Sequence, residues 1–264
     1  MEKSVLITGA YGGMGREVAK ALAQRGFLVF ALDKRVEAEE ENILPIPVDL
    51  SCEAQVQAAF EQVSRRCSEL FAILHFAGIY VLDSLVEMSG ADFENCLRIN
   101  LTAAFHVNRI FLPLLRPGSR IVITTSELAP LDPLPFTGVY ALTKGALDKY
   151  AYSLRMELQL KDVQVSVLRS GAVATNMLGA STAALERFCR DTSLYTCNAE
   201  RFRRIVNRVE ARCVPPEKIA RRVGKILDAK HPRFAYSINR NLLLLLLNLL
   251  PKALQCRIIK WVLS

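Results

Sequence analysis

The sequence predicts an α/β fold, a doubly wound parallel sheet with helices on both faces, followed by an apolar helical extension at the C-terminus. Apolar runs of five to seven residues alternate along the chain with stretches of helical spacing. The runs are apolar nearly throughout, which is typical of parallel strands buried on both faces. No internal repeat or low-complexity linker interrupts the pattern. We therefore expect one domain over residues 1–238 and the extension over residues 239–264.

Each element is predicted by its own stretch of sequence. Six strands are predicted at residues 4–8 (SVLIT), 27–33 (FLVFALD), 43–48 (ILPIPV), 71–77 (FAILHFA), 120–126 (RIVITTS) and 163–169 (VQVSVLR). Helical spacing covers residues 14–25, 54–67, about 91–115 and about 139–160. Strands that alternate with helices in this way become parallel neighbours in one sheet.

Composition agrees with a folded protein of the cytoplasm. The chain has 264 residues, of which 51% are hydrophobic and 23% charged, and this is typical of a globular protein that buries a full core. The first residues, MEKSVLITGA, have too short an apolar stretch for a signal peptide. Seven cysteines are scattered without a CxxC pair, which favours reduced thiols in a cytoplasm.

The net charge of +8 is concentrated in one segment. Residues 187–225 hold nine arginines and two lysines against four acidic residues, a surplus of seven positive charges. The segment shows no zinc-ligand spacing, aromatic RNA-binding motif or helix-turn-helix signal, so we expect no nucleic-acid partner. A solvated helical surface is the favoured interpretation. A basic rim for an anionic substrate or a lipid head group is the alternative.

A glycine-rich turn follows the first predicted strand. Gly9, Gly13 and Gly15 lie between a strand and a helix, where a Rossmann-like fold needs a tight turn and a close approach of the backbone to a pyrophosphate. The helix that follows presents free N–H groups and a partial positive charge to the phosphates. The turn therefore predicts a dinucleotide site.

Asp33 ends the second predicted strand. A carboxylate at this place accepts hydrogen bonds from the hydroxyls of the adenosine ribose and repels a 2′-phosphate. Asp33 therefore favours NAD over NADP. Lys34 and Arg35 follow directly and weaken that preference, so NADP is not excluded.

Tyr140 and Lys144 are four residues apart in VYALTKGAL, so they share one face of a helix. A phenol with an ordinary pKa of about 10 is a poor acid–base catalyst near neutrality. A neighbouring ammonium, together with a positively charged nicotinamide ring, stabilises the phenolate and lowers that pKa. Ser126 closes the fifth predicted strand and can hydrogen-bond a substrate oxygen on which charge develops.

These motifs, in this order and approximate spacing, resemble the short-chain dehydrogenase/reductase family over residues 1 to about 235. The matching pieces are Thr8–Gly15, Asp33, Asp49-Leu50, Ala77-Gly78, Asn100, Ser126, Tyr140, Lys144 and the RSGAVAT segment from Arg169 to Thr175. The resemblance implies an enzyme that oxidises or reduces CH–OH groups with NAD(P) as the hydride acceptor or donor, and no metal.

The resemblance also implies a role for each matched residue. Tyr140 would donate or accept the proton, Ser126 would polarise the substrate, and Lys144 would hold the cofactor ribose and lower the pKa of Tyr140. Asn100 would anchor a water in a proton relay. The residues implied to bind the cofactor are Gly9, Tyr11, Gly12, Gly13, Met14, Gly15, Asp33, Lys34, Asp49, Leu50, Ala77, Gly78, Tyr140, Lys144, Gly171, Val173 and Thr175.

Three departures from the family pattern stand in the sequence. Phe76 replaces the usual Asn before Ala-Gly. That Asn steadies the sheet, so its replacement puts the local structure on the adenosine side in doubt more than the chemistry. Ser170 replaces the usual Pro before Gly171, from which we expect a looser hinge. The spacing from Ser126 to Tyr140 is one residue longer than is common, so Thr125 is an alternative to Ser126, since either hydroxyl can donate.

The substrate is predicted to be hydrophobic. The family resemblance places a specificity loop after Thr175, at residues 176–214. The apolar candidates near the chemistry are Leu128, Leu134, Phe136, Tyr80, Met177 and Leu178. They suit a hydroxysteroid or bile acid best. The alternatives are a reductase of another lipid carbonyl, of retinoid or ketoacyl type, and a non-catalytic dinucleotide sensor, which would be expected to lack Tyr140 or Lys144.

Two expectations concern larger assemblies. The resemblance implies a homodimer or homotetramer that pairs through the long helices at about 91–115 and 139–160. The leucine run NLLLLLLNLL at 241–250 is too short as a helix, at about 15 Å, to cross a membrane. It is expected to pack against the core or a partner subunit, since a helix that is apolar all round is usually buried. The alternatives are a lid over the substrate and, with Trp261, a peripheral membrane contact through 240–264.

Overall fold

The structure is a computed structural model that describes residues 3–210 and 212–264, except for the side chains of residues 176–178, 180 and 208–210. The described chain forms a seven-stranded sheet, all parallel, in the order β3-β2-β1-β4-β5-β6-β7. The strands are β1 (Ser4–Thr8), β2 (Leu28–Asp33), β3 (Ile43–Pro47), β4 (Leu70–His75), β5 (Leu115–Ser126), β6 (Gln164–Ser170) and β7 (Ala235–Ile238).

Ten α-helices occur in the described residues. They are α1 (Gly13–Ala23), α2 (Glu53–Ser64), α3 (Gly90–Leu97), α4 (Ala103–Phe111), α5 (Gly138–Leu158), α6 (Asn176–Asp191), α7 (Thr196–Glu210), α8 (Glu217–Asp228), α9 (Leu242–Asn248) and α10 (Lys252–Leu263).

Two buried apolar layers lie on opposite faces of the sheet. Leu6 and Phe30 belong to one layer, while Val5, Ile7 and Val29 belong to the other. Neighbouring residues of a strand point to opposite faces, so both faces of β1 and β2 are covered. The predicted fold class, a Rossmann-like doubly wound sheet with helices on both faces, is confirmed.

Two elements differ from the sequence prediction. β7 was not predicted; it pairs in parallel with β6 at the edge of the sheet, with Ala235 opposite Val167 and Ile238 opposite Ser170. The helix predicted at about 91–115 is two helices, α3 and α4, joined by a π-helical turn at Arg98–Thr102. Such turns are rare and often mark functional positions.

The basic segment lies mostly on α7 and α8. α8 buries Ile219, Val223 and Ile226 against the sheet while Arg221 and Arg222 are exposed. This is the solvated helical surface that the sequence favoured.

The leucine run forms α9, and its predicted burial in the core is wrong for this chain. No residue of α9 is buried. Leu242 and Leu243 are each 70% exposed and Leu249, just beyond the helix, is 80% exposed. Among the described residues, no helix is both long and apolar enough to cross a bilayer.

A buried ion pair fixes α5 to the centre of the sheet. The carboxylate of Asp148 on α5 accepts two hydrogen bonds from the guanidinium of Arg169 on β6, at 3.0 and 2.7 Å. The hydroxyl of Thr125 on β5 donates to the same carboxylate at 3.2 Å. The exposed fractions of the Arg169 and Asp148 side chains are only 20% and 10%. One carboxylate therefore joins three elements.

We predict that Asp148→Asn lowers the free energy of unfolding by about 3 kcal/mol, because it leaves the Arg169 charge without its buried partner. Urea unfolding followed by circular dichroism measures the change. The control is Glu200→Gln, which removes the exposed partner of Arg203 and should leave the midpoint unchanged, since exposed pairs contribute little. Equal effects of the two substitutions would contradict the prediction.

Candidate active site

A cavity of about 230 Å³ opens at the carboxyl ends of the central strands. Ser126 ends β5, Ser170 ends β6, and Phe76 follows β4; all three line the cavity. In doubly wound sheets, ligands bind at this edge, where the strand order reverses. The cavity is therefore the candidate active site.

The cavity brings together Ser126 and Tyr140, which are predicted to act on the substrate, and Lys144, which is predicted to assist Tyr140. Ser126, Tyr140 and Lys144 all line it, although Tyr140 and Lys144 are only 9% and 6% exposed. The ring of Tyr80 packs on that of Tyr140, with 4.7 Å between the ring centroids. The phenol thus faces a largely apolar cavity and not bulk water.

The protein's own surroundings raise the pKa of Tyr140 on balance, and the lowering expected from Lys144 together with a nicotinamide stays a prediction. Burial raises the pKa of this phenol well above its ordinary value, Tyr80 adds to the rise, and a hydrogen bond with Ser126 opposes it. Lys144 Nζ lies 5.8 Å from the centre of the Tyr140 ring. The lysine therefore does not compensate for the loss of water around the phenol.

Burial also destabilises the charged form of Lys144. Burial lowers its pKa to about 8, since a low-dielectric environment disfavours the charged form. Its Nζ donates to the backbone oxygen of Thr124 at 3.3 Å. No carboxylate makes an ion pair with Lys144 in the part of the chain that the structure describes.

Ser126 is favoured over Thr125 by the geometry of β5. The Thr125 hydroxyl is occupied by Asp148, as described above. Ser126 Oγ accepts from Leu128 N at 3.2 Å and lines the cavity together with Tyr140. The extra residue in the Ser126–Tyr140 spacing is accommodated in the intervening loop, where Phe136 has a φ of 63°.

Asn100 lies in the π-helical turn, 1% exposed. Its side-chain oxygen accepts from Ile79 N at 2.8 Å, and its amide donates to Ile79 O at 3.0 Å and to Thr143 Oγ1 at 3.1 Å. Asn100 therefore ties the loop after β4 to α5. Its role in a water relay stays a prediction.

The glycine turn has the shape needed to hold a pyrophosphate. Gly9 has a φ of +66°, and a Cβ there would lie 2.5 Å from Ala77 N. A Cβ on Gly15 would collide with the carbonyl oxygen of Gly9. Gly12 is the N-cap of α1. No side chain caps the helix start with a hydrogen bond, and the first turn of α1 contains no acidic residue. The start of α1, at Gly13 and Met14, is thus open to an anion, and the residues fit a dinucleotide.

The adenosine side is organised by two aspartates. Asp33 Oδ2 accepts from Tyr11 N at 3.0 Å, which fixes the carboxylate beside the glycine turn. Asp49 accepts from Ser51 N and Oγ, and from Lys34 Nζ at 2.9 Å. These bonds, led by the one from the Ser51 side chain, lower the pKa of Asp49 to about 2. Leu50 packs on the core next to it.

Phe76 preserves the sheet although it replaces the usual Asn. Its backbone N donates to Thr8 O at 2.9 Å, so it continues the link between β4 and β1. Its ring is 7% exposed and packs in the core. Ala77 and Gly78 follow, and a Cβ on Gly78 would lie 3.1 Å from Asn100 Oδ1. The glycine therefore allows the loop to approach Asn100 closely.

The segment after β6, where Ser170 predicts a looser hinge, is hydrogen-bonded to the sheet on both sides, and the looseness of the hinge stays a prediction. Ser170 pairs with both Ser126 and Ile238 within the sheet, and Gly171 N donates to Ile238 O at 2.9 Å. Further along, Val173 bridges to Val214. Thr175, the N-cap of α6, lies close to Gly13: a Cβ added to Gly13 would be 2.5 Å from the Cβ of Thr175. This segment adjoins the glycine turn.

The structure separates the predicted substrate residues. Leu128 and Leu134 line the cavity. Phe136 is not among the described lining residues. Its ring packs against Phe188 with 4.5 Å between the ring centroids, in a cluster that includes Tyr195 and Phe202. These aromatic rings on and between α6 and α7 provide apolar surface that buries the ring of Phe136. The side chains of Met177 and Leu178 lie outside the described residues.

The sequence analysis missed several lining residues, among them Glu127 and Leu244. Glu127 is the one carboxylate among the described lining residues; burial raises its pKa, and its Oε2 accepts from Asn241 N at 2.6 Å. Leu244 on α9 also lines the cavity. The position of Glu127 directly after Ser126 was a usable signal, whereas nothing in the leucine run distinguishes Leu244 from its neighbours.

The comparisons with known proteins agree with this geometry. The family model described as short chain dehydrogenase matches residues 3–186. The chain therefore belongs to the short-chain dehydrogenase family. Estradiol 17-beta-dehydrogenase 2 of Mus musculus is 32% identical over 193 residues, which cover 68% of this chain and 50% of that protein. NADPH-dependent 1-acyldihydroxyacetone phosphate reductase of Saccharomyces cerevisiae is 27% identical, over 74% of this chain and 67% of that protein.

Solved structures show the same fold. A short-chain dehydrogenase from Streptomyces avermitilis superposes with a TM-score of 0.80 at 18% identity, covering 99% of this chain and 96% of that one. A short chain dehydrogenase family protein from Francisella tularensis gives 0.76 at 20% identity, covering 90% and 97%. The chain spans about half the length of the first curated relatives it matches.

We predict that Lys144 makes stability rise with pH. The lysine has a pKa of about 8 when folded and 10.5 as a free side chain, so the unfolded chain binds more protons between these values. The burial penalty is fully present below pH 8 and is relieved as pH rises towards 10.5, a gain on the order of 2–3 kcal/mol.

Urea unfolding of the wild type and of Lys144→Met, below pH 8 and near pH 10, measures this gain as the difference between the two proteins. The difference cancels the other groups that titrate in the same window. Parallel pH profiles would show that Lys144 is not a buried cation.

Proposed function

We propose that this chain is an NAD-preferring oxidoreductase that transfers a hydride between the nicotinamide cofactor and a hydrophobic secondary alcohol or ketone. The observation that carries the proposal is the composition of one cavity. Ser126 and Tyr140 line it together with Met14 and Thr175 from the dinucleotide side, and with Leu128 from the loop that follows β5. Acid–base groups, cofactor residues and an apolar wall thus meet at one place.

Each residue has a chemical task in this proposal. A bound nicotinamide supplies the site that accepts or donates the hydride. The Tyr140 phenolate takes the proton from the alcohol as the hydride leaves, or the phenol donates it to the ketone oxygen as the hydride arrives, while the Ser126 hydroxyl donates a hydrogen bond to the reacting oxygen. Lys144 holds the cofactor ribose. The apolar surroundings exclude water and strengthen these interactions.

A hydroxysteroid or bile acid is the proposed substrate. Leu128, Leu134 and Leu244 present apolar surface to the cavity, and a relative 32% identical to this chain is named an estradiol dehydrogenase. A second candidate is a reductase of another lipid carbonyl, which is favoured by the yeast relative named a reductase of an acylated dihydroxyacetone phosphate.

NAD is the proposed cofactor because Asp33 would repel a 2′-phosphate and because Lys34 is paired with Asp49. The backbone N of Tyr11 holds the Asp33 carboxylate at the end of β2, where a 2′-phosphate would meet a negative charge. Lys34, one of the two cations that could attract that phosphate, is paired with Asp49. The pair reduces the free positive charge beside Asp33.

We further propose a homo-oligomer in the cytoplasm. Phe105 on α4, and Leu142, Tyr152 and Met156 on α5, are between 45% and 50% exposed. These apolar side chains support pairing through the two helices, since burial of such surface drives association. The cysteines are free thiols, which supports a reducing compartment.

We predict that Tyr140→Phe reduces steroid oxidation at least about a hundredfold, because it removes the proton-transferring hydroxyl. NADH formation is measured across a panel of hydroxysteroids, bile acids and other lipid alcohols, and the binding of NADH is measured separately by fluorescence. The matched control is Tyr152→Phe on the same helix, half exposed, which should retain full activity. An active Tyr140→Phe protein would rule out the proposed mechanism.

We predict that Asp33→Ser weakens NADH binding about tenfold or more and leaves NADPH binding equal or stronger. The change removes both a charge-assisted hydrogen-bond acceptor and a repulsive charge. Titration with each nucleotide measures the two dissociation constants. Glu41→Gln, an exposed carboxylate on the loop after β2, is the control and should change neither. A wild-type preference for NADPH would overturn the assignment of Asp33.

A further inference from the structure

The helix α9 is apolar on every side, and its two faces have different neighbours. Leu244 lines the cavity, and Asn248, four residues on, accepts a hydrogen bond from Asp132 N. Residues four apart share a helix face. The opposite face and the residue after the helix carry Leu242, Leu243, Leu246 and Leu249, which are 60–80% exposed. One face therefore covers the cavity and the other meets solvent.

Polar contacts hold α9 in this orientation. At its start, Asn241 N donates to Glu127 Oε2 at 2.6 Å. At its end, Asp132 N donates to Asn248 Oδ1 at 2.6 Å. The side chain of Gln255 on α10 donates to Asp132 Oδ2 at 3.1 Å. The leucines are thus exposed on a helix that is fixed at both ends.

The tail segment carries only positively charged side chains, and one of them, Lys252, is paired with Asp132 at 3.4 Å. Residues 239–264 contain Arg240, Lys252, Arg257 and Lys260 and no acidic residue, and the four cations are exposed. Trp261 on α10 is 81% exposed. Exposed leucines, an exposed tryptophan and cations within one short segment of the chain match the interface of an anionic bilayer, where apolar side chains enter the acyl boundary and cations bind head groups.

We propose that Leu242, Leu243, Leu246, Leu249 and Trp261, with these four cations, form a surface that docks on an anionic lipid bilayer. This tail surface lies on the bilayer and does not span it, since α9 is about 10 Å long and α10 about 18 Å. A second copy of the chain fits the surface less well, because the four cations would meet the same cations of that copy, and only Lys252 makes an ion pair with an acid among the described residues.

The docking also provides a route for substrate. Leu244 lies between the tail surface and the cavity, so an apolar molecule dissolved in the bilayer would reach Tyr140 without crossing bulk water. This second part rests on the proposed function, whereas the docking does not.

Flotation with vesicles tests the docking on the full chain without substrate or cofactor. Phosphatidylcholine vesicles, with and without phosphatidylserine, are the probe. We expect the wild type to float with the anionic vesicles, and Leu246→Gln/Leu249→Gln to lose at least about tenfold in affinity. The matched control is Leu112→Gln/Leu160→Gln, whose leucines are 43% and 81% exposed and lie just after the ends of α4 and α5, and it should float as the wild type does.

A charge variant tests the lipid preference. Arg257→Gln/Lys260→Gln should lose about fivefold in affinity for each cation removed, and only with phosphatidylserine. The docking is overturned if the wild type does not float, or if the two leucine variants float equally. It is also overturned if the wild type is an oligomer without vesicles that Leu246→Gln/Leu249→Gln converts to monomers, since the surface is then an interface between copies.

An activity assay separates the docking from the proposed function. Oxidation of a steroid dissolved in anionic vesicles should fall with Leu246→Gln/Leu249→Gln, while oxidation of a short, water-soluble secondary alcohol should not change. If both fall equally, the substrate route is wrong. If the wild type oxidises neither, the proposed function fails, and flotation still decides the docking.

Discussion

The ion pair between Asp148 and Arg169 ties α5 to the two strands whose ends form the cavity. Tyr140, Lys144 and Asp148 follow one another at intervals of four, so they form a single stripe along α5. Because Asp148 is bound to β5 through Thr125 and to β6 through Arg169, the rotation of the helix about its axis is fixed. The position of the Tyr140 hydroxyl against Ser126 depends on that rotation.

The same stripe determines the electrostatics of the site. Burial disfavours the charged forms of both Tyr140 and Lys144, since it raises the pKa of the phenol and lowers that of the ammonium. At neutral pH the protein alone therefore keeps the phenol protonated, while Lys144, with a pKa of about 8, is still mostly a cation. In the proposed mechanism, a bound oxidised nicotinamide would add positive charge that favours the phenolate of Tyr140.

The sequence predicts those parts of the fold that depend on local pattern. Six buried parallel strands, the glycine turn and the helix carrying Tyr140 and Lys144 are recognisable because each has its own periodicity or composition. β7 is not, because AYSI is short, only partly apolar and stabilised by its pairing with β6. The place of Phe136 and the exposure of α9 depend on which distant surfaces meet, and no local pattern records that.

Glu127 connects the tail to the chemistry. Its backbone N donates to Ser170 O, next to the dinucleotide segment, while its carboxylate accepts from Asn241 at the start of the tail. A Cβ on Gly171 would lie 3.0 Å from Glu127 Oε1 and would collide with the carbonyl oxygen of Asn239. The end of β5, the segment after β6 and the start of the tail therefore pack without spare space. Glu127 therefore contacts the tail through its carboxylate and directly follows Ser126 in the chain. In this way, the segment that would meet the bilayer and the residue that would orient the substrate belong to one packed unit.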